Sequence, residues 1–142
     1  MFEDKEKNKQ YLIIAGLVIA TLLIAFFMAQ FEVVRRAKRE YLEGEKFMKF
    51  YQDPGAKAAY YKDKLDKKEI TELEYEMLMD DNALKNAYIQ YKTVVDLFTP
   101  PESEWVKKAR ERLKEVEPAY NEWVKQLESE VSSASNTPTA KK

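Results

Sequence analysis

The hydrophobic residues of this chain follow two patterns, one continuous and one periodic. Between Tyr11 and Phe31 there is no charged residue, and Leu, Ile, Val, Ala and Phe fill nearly every position. With Gln10, the uncharged run would be about 33 Å long as a helix, close to the roughly 30 Å hydrocarbon core of a bilayer. Backbone groups in lipid must be hydrogen-bonded within the segment. The run therefore predicts a transmembrane helix over residues 11–31.

Two other interpretations of this run are a cleaved signal peptide and a buried core helix. A signal peptide has an apolar core of roughly 7–15 residues followed by a small-residue cleavage site. This run is longer, and it ends in Phe31 followed closely by a basic cluster. The rest of the chain is too small to enclose a helix that is apolar on every face. We therefore interpret the run as a retained single-pass anchor that follows a polar N-terminal tail, residues 1–10.

Small residues within the anchor are spaced four apart in two pairs. At 100° per residue the two pairs lie on nearly opposite faces of the helix. Small side chains let a second membrane helix approach closely, although Gly and Ala are also common in membrane helices generally. We expect helix packing in the membrane at Gly16, Ala20, Ala25 and Ala29.

The periodic pattern begins where the anchor ends. The segment between Glu32 and Tyr51 contains no proline, and its apolar residues recur at helical spacing. We predict one unbroken helix from about Lys9 to about Gln52, in which residues 32–52 form a stalk outside the membrane. Its first turns carry basic residues that suit anionic head groups. This membrane-surface cluster is Arg35, Arg36, Lys38 and Arg39.

Residues 53–128 are predicted to form a small helical domain. Asp53 and Pro54 suit the N-cap and the first residue of a helix. Thr71 and Glu74 have the spacing of a capping box, in which each residue bonds to the backbone of the other. Local sequence therefore indicates where two of the helices of this domain begin.

The helix after Thr71 is predicted to turn its apolar residues toward the core. Those residues are Ile70, Leu73, Met77 and Leu78. An Asp-Asp-Asn sequence then interrupts the pattern, although the apolar residues keep a seven-residue phase across it. Residues 71–98 are therefore compatible with one helix or with two.

A strongly amphipathic segment, residues 83–98, precedes a Thr-Pro-Pro-Glu sequence and a final helix. We expect Thr99 to be the N-cap of that helix and Pro100 its first residue. The helix should continue through Pro118 with a kink, because the apolar stripe keeps its phase there. Residues 129–142 are small and polar and are predicted to be a disordered tail.

Four large aromatic residues lie on the stripes of the last two helices. We expect them to fill a thin helical core or, as the second possibility, an interface. They are Tyr91, Phe98, Trp105 and Trp123.

The amino-acid composition restricts the catalytic and binding chemistry that this chain can provide. The chain has no Cys and no His, three Gly and a net charge of −1. Thiol nucleophiles, Cys/His metal sites, imidazole bases and Gly-rich phosphate loops are therefore missing from its sequence. Near-neutral charge gives no reason to expect a nucleic-acid partner. We expect no catalytic residue, no cofactor, no metal and no small-molecule substrate.

Residues 83–116 resemble one junction of a tetratricopeptide-type helical array. Ala87, Tyr91, Val94 and Pro100 follow the order of small, aromatic, apolar and proline positions in the second helix of that repeat. The segment after Pro100 is similar to the next first helix in bacterial envelope members of the family. The resemblance implies a TPR-like helical hairpin domain used for protein contacts. At most about one and a half repeats would fit, fewer than the three that usually give stability.

The sequence thus predicts an all-α chain with one N-terminal membrane helix extended into a stalk and followed by a TPR-like hairpin domain. The expected function is that of a non-catalytic accessory or scaffold subunit, with the lipid bilayer and other membrane-protein subunits as partners. The alternative is a free-standing envelope assembly factor or chaperone with a client-binding groove.

The expected location is the inner (cytoplasmic) membrane. Basic residues are more numerous after the anchor than before it, which favours a cytoplasmic domain. The usual arrangement of a signal anchor and the resembled envelope proteins favour the outer side, which we take as the expectation.

Overall fold

The computed structural model describes the backbone of residues 2–135 and the side chains of residues 8–133. This part of the chain is all-helical, as predicted. The helices are α1 (Phe2–Gln52), α2 (Pro54–Asp66), α3 (Glu72–Asp80), α4 (Ala83–Leu97) and α5 (Glu104–Ser135).

Helix α1 is a single unbroken helix of 51 residues, about 77 Å long. It ends at Gln52, as predicted, but it begins at Phe2 rather than near Lys9. The polar segment at residues 1–10 is thus helical from Phe2 onward. Its Glu and Lys residues are good helix formers and no proline interrupts them.

The predicted caps of α2 and α3 are confirmed. The Asp53 carboxylate accepts a hydrogen bond from the backbone N–H of Ala56 at 3.1 Å. At α3, the Thr71 hydroxyl accepts from the backbone N–H of Glu74 at 3.3 Å, and the Glu74 carboxylate accepts from the Thr71 N–H at 2.8 Å. These caps act over three residues, which explains why sequence alone could place them.

Residues 71–98 form two helices, which answers the question that the sequence left open. The chain is extended at Asp81, and the Asn82 side chain accepts from the N–H of Lys85 at 3.0 Å to cap α4. The cap at Asn82 therefore starts a new helix, even though the apolar residues keep their seven-residue spacing across this segment.

The predicted start of α5 is wrong. Thr99 and Pro100 lie in a turn in which the peptide bonds before Pro100 and Pro101 are both cis. The helix begins at Glu104, where the Ser103 hydroxyl accepts from the N–H of Val106 at 3.4 Å. Two candidate caps lie close together in this segment, and the later one, Ser103, begins the helix.

Helix α5 is continuous through Pro118 and extends to Ser135. This corrects the predicted disordered tail over residues 129–135; residues 136–142 lie outside the described part of the chain. Serine hydroxyls donate to carbonyls of the preceding turn, at 2.7 Å from Ser129 to Gln126 and 2.8 Å from Ser133 to Glu130. These bonds are compatible with helical backbone, so a polar composition did not end the helix.

Three helices form the main bundle. The second half of α1 packs along α4, α4 packs along α5, and α5 closes the bundle against α1. The buried core comes from all three and consists of Ala37, Leu84, Ala87, Tyr91, Val94, Val106, Ala109 and Val116. The segment at residues 32–52 is therefore a core helix as well as a stalk, and the predicted boundary between residues 52 and 53 separates segments that pack together.

Helices α2 and α3 form a pair at the end of the bundle farthest from residue 31. Among the described helices, α3 packs against α2 alone. Leu73 and Met77 are 68% and 65% exposed, so their predicted inward orientation is wrong. Lys57 holds the end of α3 by donating from Nζ to the carbonyls of Met79 at 2.8 Å and Asp81 at 2.6 Å. With a single helical neighbour, α3 has too little surface around it to bury its apolar side.

Candidate functional site

One described helix, α1, is long and apolar enough to cross a membrane. Every residue from Tyr11 to Ala29 is exposed, and no other helix covers this segment. The Thr21 hydroxyl donates to the Leu17 carbonyl at 2.9 Å, so this polar group is satisfied within the helix. The first half of α1 is thus a surface suited to a hydrocarbon surrounding.

The four small residues predicted for membrane packing lie on this open surface. Gly16, Ala20, Ala25 and Ala29 are all exposed. A Cβ built at Gly16 would meet nothing within 4 Å. In the single chain, both small-residue faces of this segment are therefore uncovered.

The predicted membrane-surface cluster lies just after the span and includes acidic partners that the sequence interpretation did not use. Glu32 pairs with Arg35 and Arg36, each at 3.0 Å, and hydrogen bonds from Arg36 and then Arg35 lower the pKa of its carboxyl group. Arg39 lies 3.1 Å from Glu40. The cluster is exposed and still carries more positive than negative charge.

The four aromatic residues occupy different places. Tyr91 is fully buried, and Phe98 and Trp105 are half-buried against the core. The Trp105 ring lies 5.7 Å from Tyr41 and beneath the Lys38 ammonium, which is 5.2 Å from the ring centre. Tyr91 and Trp105 therefore join α4 and α5 to the second half of α1, and Phe98 packs against the same core.

Trp123 lies farther along α5, away from that core. It is half-buried, and its ring is 5.8 Å from Tyr120. Tyr120 in turn stacks on Tyr88 of α4 at 4.0 Å. Trp123 thus flanks the α4–α5 contact.

A charged network that sequence reasoning missed joins the three bundle helices. Glu45 of α1 accepts from the Tyr91 hydroxyl at 2.6 Å, from Arg112 Nε at 2.9 Å and from Arg112 Nη2 at 3.0 Å. Glu45 and Arg112 are 67 positions apart, so no local pattern connects them. The paired geometry is the two-pronged contact that Arg and a carboxylate form best.

The pKa values in this network follow from burial and pairing. Burial raises the pKa of Glu45, but hydrogen bonds from Tyr91 and Arg112 outweigh it, and the pKa lies below its ordinary value. Burial and the neighbouring Glu45 carboxylate raise the pKa of the Tyr91 hydroxyl. Both shifts favour the state in which Tyr91 is neutral and Glu45 is charged. The network stabilises the bundle and presents no unpaired reactive group.

Gly44 is a second position that the sequence interpretation passed over. A Cβ at Gly44 would lie 2.7 Å from Cε1 and 2.9 Å from Cδ1 of Tyr91, closer than real contacts. The stripe of apolar residues in this half of α1 steps from Tyr41 to Met48, and Gly44 fills the gap at helical spacing. That gap was the available signal for close approach of a neighbouring helix.

The described residues contain no group of three or more His, Cys, Asp or Glu arranged to hold a metal ion. Depressions on the described surface are open and shallow, such as those along Glu117–Lys125 and beside Glu32. What the arrangement offers is surfaces: an exposed membrane-compatible helix and apolar side chains on the outer faces of α3, α4 and α5. The last group comprises Leu73, Met77, Ile89, Leu97, Leu127 and Val131.

Comparison of the chain with protein-family models, curated proteins and solved structures gives no match. The tetratricopeptide-type resemblance therefore rests on residues 83–116 alone. Helices α4 and α5 form a packed hairpin across this segment, whereas α3, which would pair with α4 in a complete repeat, packs against α2.

Proposed function

We propose that this chain is a non-catalytic, single-pass membrane protein that serves as an accessory or scaffold subunit in a larger membrane complex. The observation that carries the proposal is the continuity of α1. Its first half is exposed and suited to lipid, and its second half is a core helix of the bundle.

This continuity restricts how the bundle can move. No proline or turn lies between Phe31, at the end of the span, and Ala37, which is fully buried in the core. The tilt and rotation of the span therefore set the orientation of the whole bundle. Such rigid coupling suits a subunit that holds its contacts in fixed places relative to the membrane, more than it suits a domain on a flexible tether.

Open surfaces on the span support contacts with other membrane subunits. The Gly16/Ala20 pair and the Ala25/Ala29 pair are uncovered in the single chain, and small residues at this spacing allow close helix packing. We place the chain in the inner membrane with its bundle outside the cytoplasm.

The alternative of a free-standing assembly factor receives less support from the fold. It required residues 53–128 to fold alone, and that fragment lacks Ala37, Phe50 and the Glu45 network. A domain whose core includes the continuation of its anchor fits a fixed subunit better.

The proposal is tested by purifying tagged chain from its native membranes in mild detergent. The variant pair Gly16→Leu and Ala20→Leu fills one small-residue face and should leave insertion intact while co-purifying membrane proteins are lost. Ile13→Leu with Leu17→Ile is the matched control, because it changes shape on the same span without adding bulk at a small position. A wild-type chain that elutes as a clean monomer without other proteins would contradict the proposal.

Reporter fusions after Lys142 test the orientation. A reporter active only outside the cytoplasm should give signal, and one active only inside should be silent. The reverse pattern would place the bundle in the cytoplasm and leave the subunit proposal to the purification experiment.

A further inference from the structure

We propose that the turn between α4 and α5, residues 97–103, is a second membrane contact that rests on the phospholipid head-group layer beside α1. This inference rests on the proposed anchoring of residues 11–31. It concerns a part of the chain 66 positions or more beyond the end of that span.

The direction of α4 brings its end toward the membrane. Its start lies at the far end of the bundle, where the Asp81 carbonyl accepts from Lys57 of α2. Midway, the Tyr91 ring packs on Gly44 and Tyr41 of α1. Helix α4 therefore runs antiparallel to α1, and the turn after it comes back toward the span.

Helical rise gives the height of the turn. Gly44 lies about 20 Å beyond Phe31 along α1, and Leu97 lies about 9 Å nearer the span than Tyr91, which packs on Gly44. Leu97 is thus about 10 Å past Phe31, at the level of Lys38. The contact between Lys38 and Trp105, the second residue of α5, gives the same level independently. The head-group layer extends about 5–8 Å beyond the hydrocarbon core, so the backbone of Leu97 lies about 2–5 Å outside it. The turn residues between Leu97 and Trp105, where the chain reverses direction, lie on the side of Leu97 that is nearer the span.

The side chains at this level have the composition of a membrane-surface segment. Leu97 is 72% exposed, and Thr99 and Pro100 are exposed beside it. Lys107 and Lys108 at the start of α5 are exposed cations on the same end of the bundle, and Lys108 lies 3.5 Å from the Glu104 carboxylate. The acidic residue of the turn, Glu102, is paired with Arg110.

Charge on α1 at the same level adds to this surface. The cluster of Arg35, Arg36, Lys38 and Arg39 lies on the side of α1 opposite the buried Ala37, between Phe31 and about the level of Leu97. The neighbour of Leu97, Asp96, is paired with Lys92 at 3.0 Å. An exposed apolar side chain in a region with excess positive charge suits the surface of an anionic head-group layer. Continuity with the span and charge complementarity thus both select phospholipid as the occupant.

The surroundings of Ile89 distinguish a lipid contact at Leu97 from a protein contact. It is 44% exposed and lines the same shallow apolar strip of α4 as Leu97, but it lies about 12 Å farther from the span. A protein docked along the strip would cover both residues. Head groups would reach Leu97 alone.

The test uses the full chain in nanodiscs of phosphatidylcholine and phosphatidylglycerol. Because the chain has no Cys, the single variants Leu97→Cys, Ile89→Cys, Leu73→Cys and Leu22→Cys can each carry one bimane fluorophore. A phospholipid with a nitroxide on its head group is the quencher for the first three. A phospholipid with a nitroxide on its acyl chain is the quencher for Leu22→Cys, at the middle of the span.

The expected result is loss of bimane fluorescence at position 97 with the head-group quencher and none at positions 89 and 73. Unquenched fluorescence at position 97, with position 22 quenched by the acyl-chain quencher, overturns the turn contact and leaves the anchoring proposal standing. Unquenched fluorescence at position 22 overturns the anchoring proposal itself. A fourth outcome is that the cysteines at positions 89 and 97 are both protected from labelling in native membranes while position 97 is not quenched in nanodiscs. That outcome assigns the strip to a protein partner and overturns the lipid contact.

Discussion

The two halves of α1 have similar secondary structure and opposite surroundings. In residues 11–31 the large apolar side chains are 53–73% exposed. In the second half, Ala37 is fully buried and Phe50 is 4% exposed. The half with more hydrophobic residues contributes none of the core. A helix that is apolar on every face is therefore suited to a hydrocarbon surrounding, whereas a helix with a periodic apolar stripe packs that stripe against neighbouring helices.

The physical reason is the distribution of apolar side chains around the axis. A helix that is apolar on every face has no preferred side on which to pack, and only a medium that surrounds it can cover it. The second half has one apolar stripe, which α4 and α5 cover, and polar faces that remain in water. Five perturbations test this comparison, from the largest expected effect to the smallest.

The largest effect is expected from removing the second half of α1. A fragment of residues 53–133 should lack cooperative unfolding, because it loses one of three core helices. A fragment of residues 32–133 keeps that helix without the span and should melt cooperatively. Thermal melting followed by circular dichroism compares the two. Equal melting temperatures would show that α4 and α5 fold without α1.

Tyr91→Phe removes the hydrogen bond between α4 and the Glu45 carboxylate while keeping the buried ring. We expect a loss of about 1.5–3 kcal/mol in the free energy of unfolding, the range for hydrogen bonds to charged groups. Urea denaturation of residues 32–133 measures it. Tyr51→Phe, at an exposed position of the same bundle, is the control and should change little.

The same network predicts sensitivity to acid. Pairing lowers the pKa of Glu45 below its ordinary 4.5, so the unfolded chain binds its proton first as pH falls. The stabilisation from Glu45 is present above about pH 4.5 and is lost below it. Glu45→Gln should therefore be less stable than wild type at neutral pH, and the difference should shrink in acid. Urea titrations across this range measure it, with Glu111→Gln on the exposed face of α5 as control; a constant difference would contradict the assignment.

Gly44→Ala tests the close approach of α4 to α1. Overpacking typically costs about 1–3 kcal/mol, whereas replacing Gly by Ala in a helix gains about 1 kcal/mol. Because the Tyr91 ring is fully buried and has no room to withdraw, we expect a net loss. Gly55→Ala, where the nearest atom is a side-chain oxygen at 3.1 Å, is the comparison in the same urea assay. A stabilised Gly44→Ala variant would show that the interface can relax.

The smallest effect is expected on α3. Leu73→Ser and Met77→Ser should each change the free energy of unfolding by no more than about 0.5 kcal/mol, as for surface positions. Val94→Ala in the core, measured under the same denaturation conditions, is the contrast. A large loss at Leu73 would mean that α3 packs more closely than the structure indicates.

Structural features that depend on three or four neighbouring residues were predictable from the sequence. The caps at Asp53 and Thr71 act within one turn, and the uncharged run from Tyr11 to Phe31 needs no information from elsewhere in the chain. The start of α5 was missed because Thr99 and Ser103 are both acceptable caps. The orientation of the apolar side of α3 was predicted wrongly because Leu73 has the spacing of a buried residue. Its exposure depends on which helices lie beside α3, which the sequence does not show.

Sequence was sufficient for the all-α class, the membrane-compatible half of α1 and the breaks before α2 and α3, because each depends on local hydrogen bonds or on the solvent that a surface requires; the break before α4 was seen only in the structure. Tertiary structure alone decided that residues 32–52 belong to the core, that Gly44 admits Tyr91, and that Glu45 pairs with Arg112 across 67 positions. Those contacts depend on which helices become neighbours. Many arrangements of neighbouring helices would bury the same apolar stripe, and only the close packing of the side chains determines which arrangement forms.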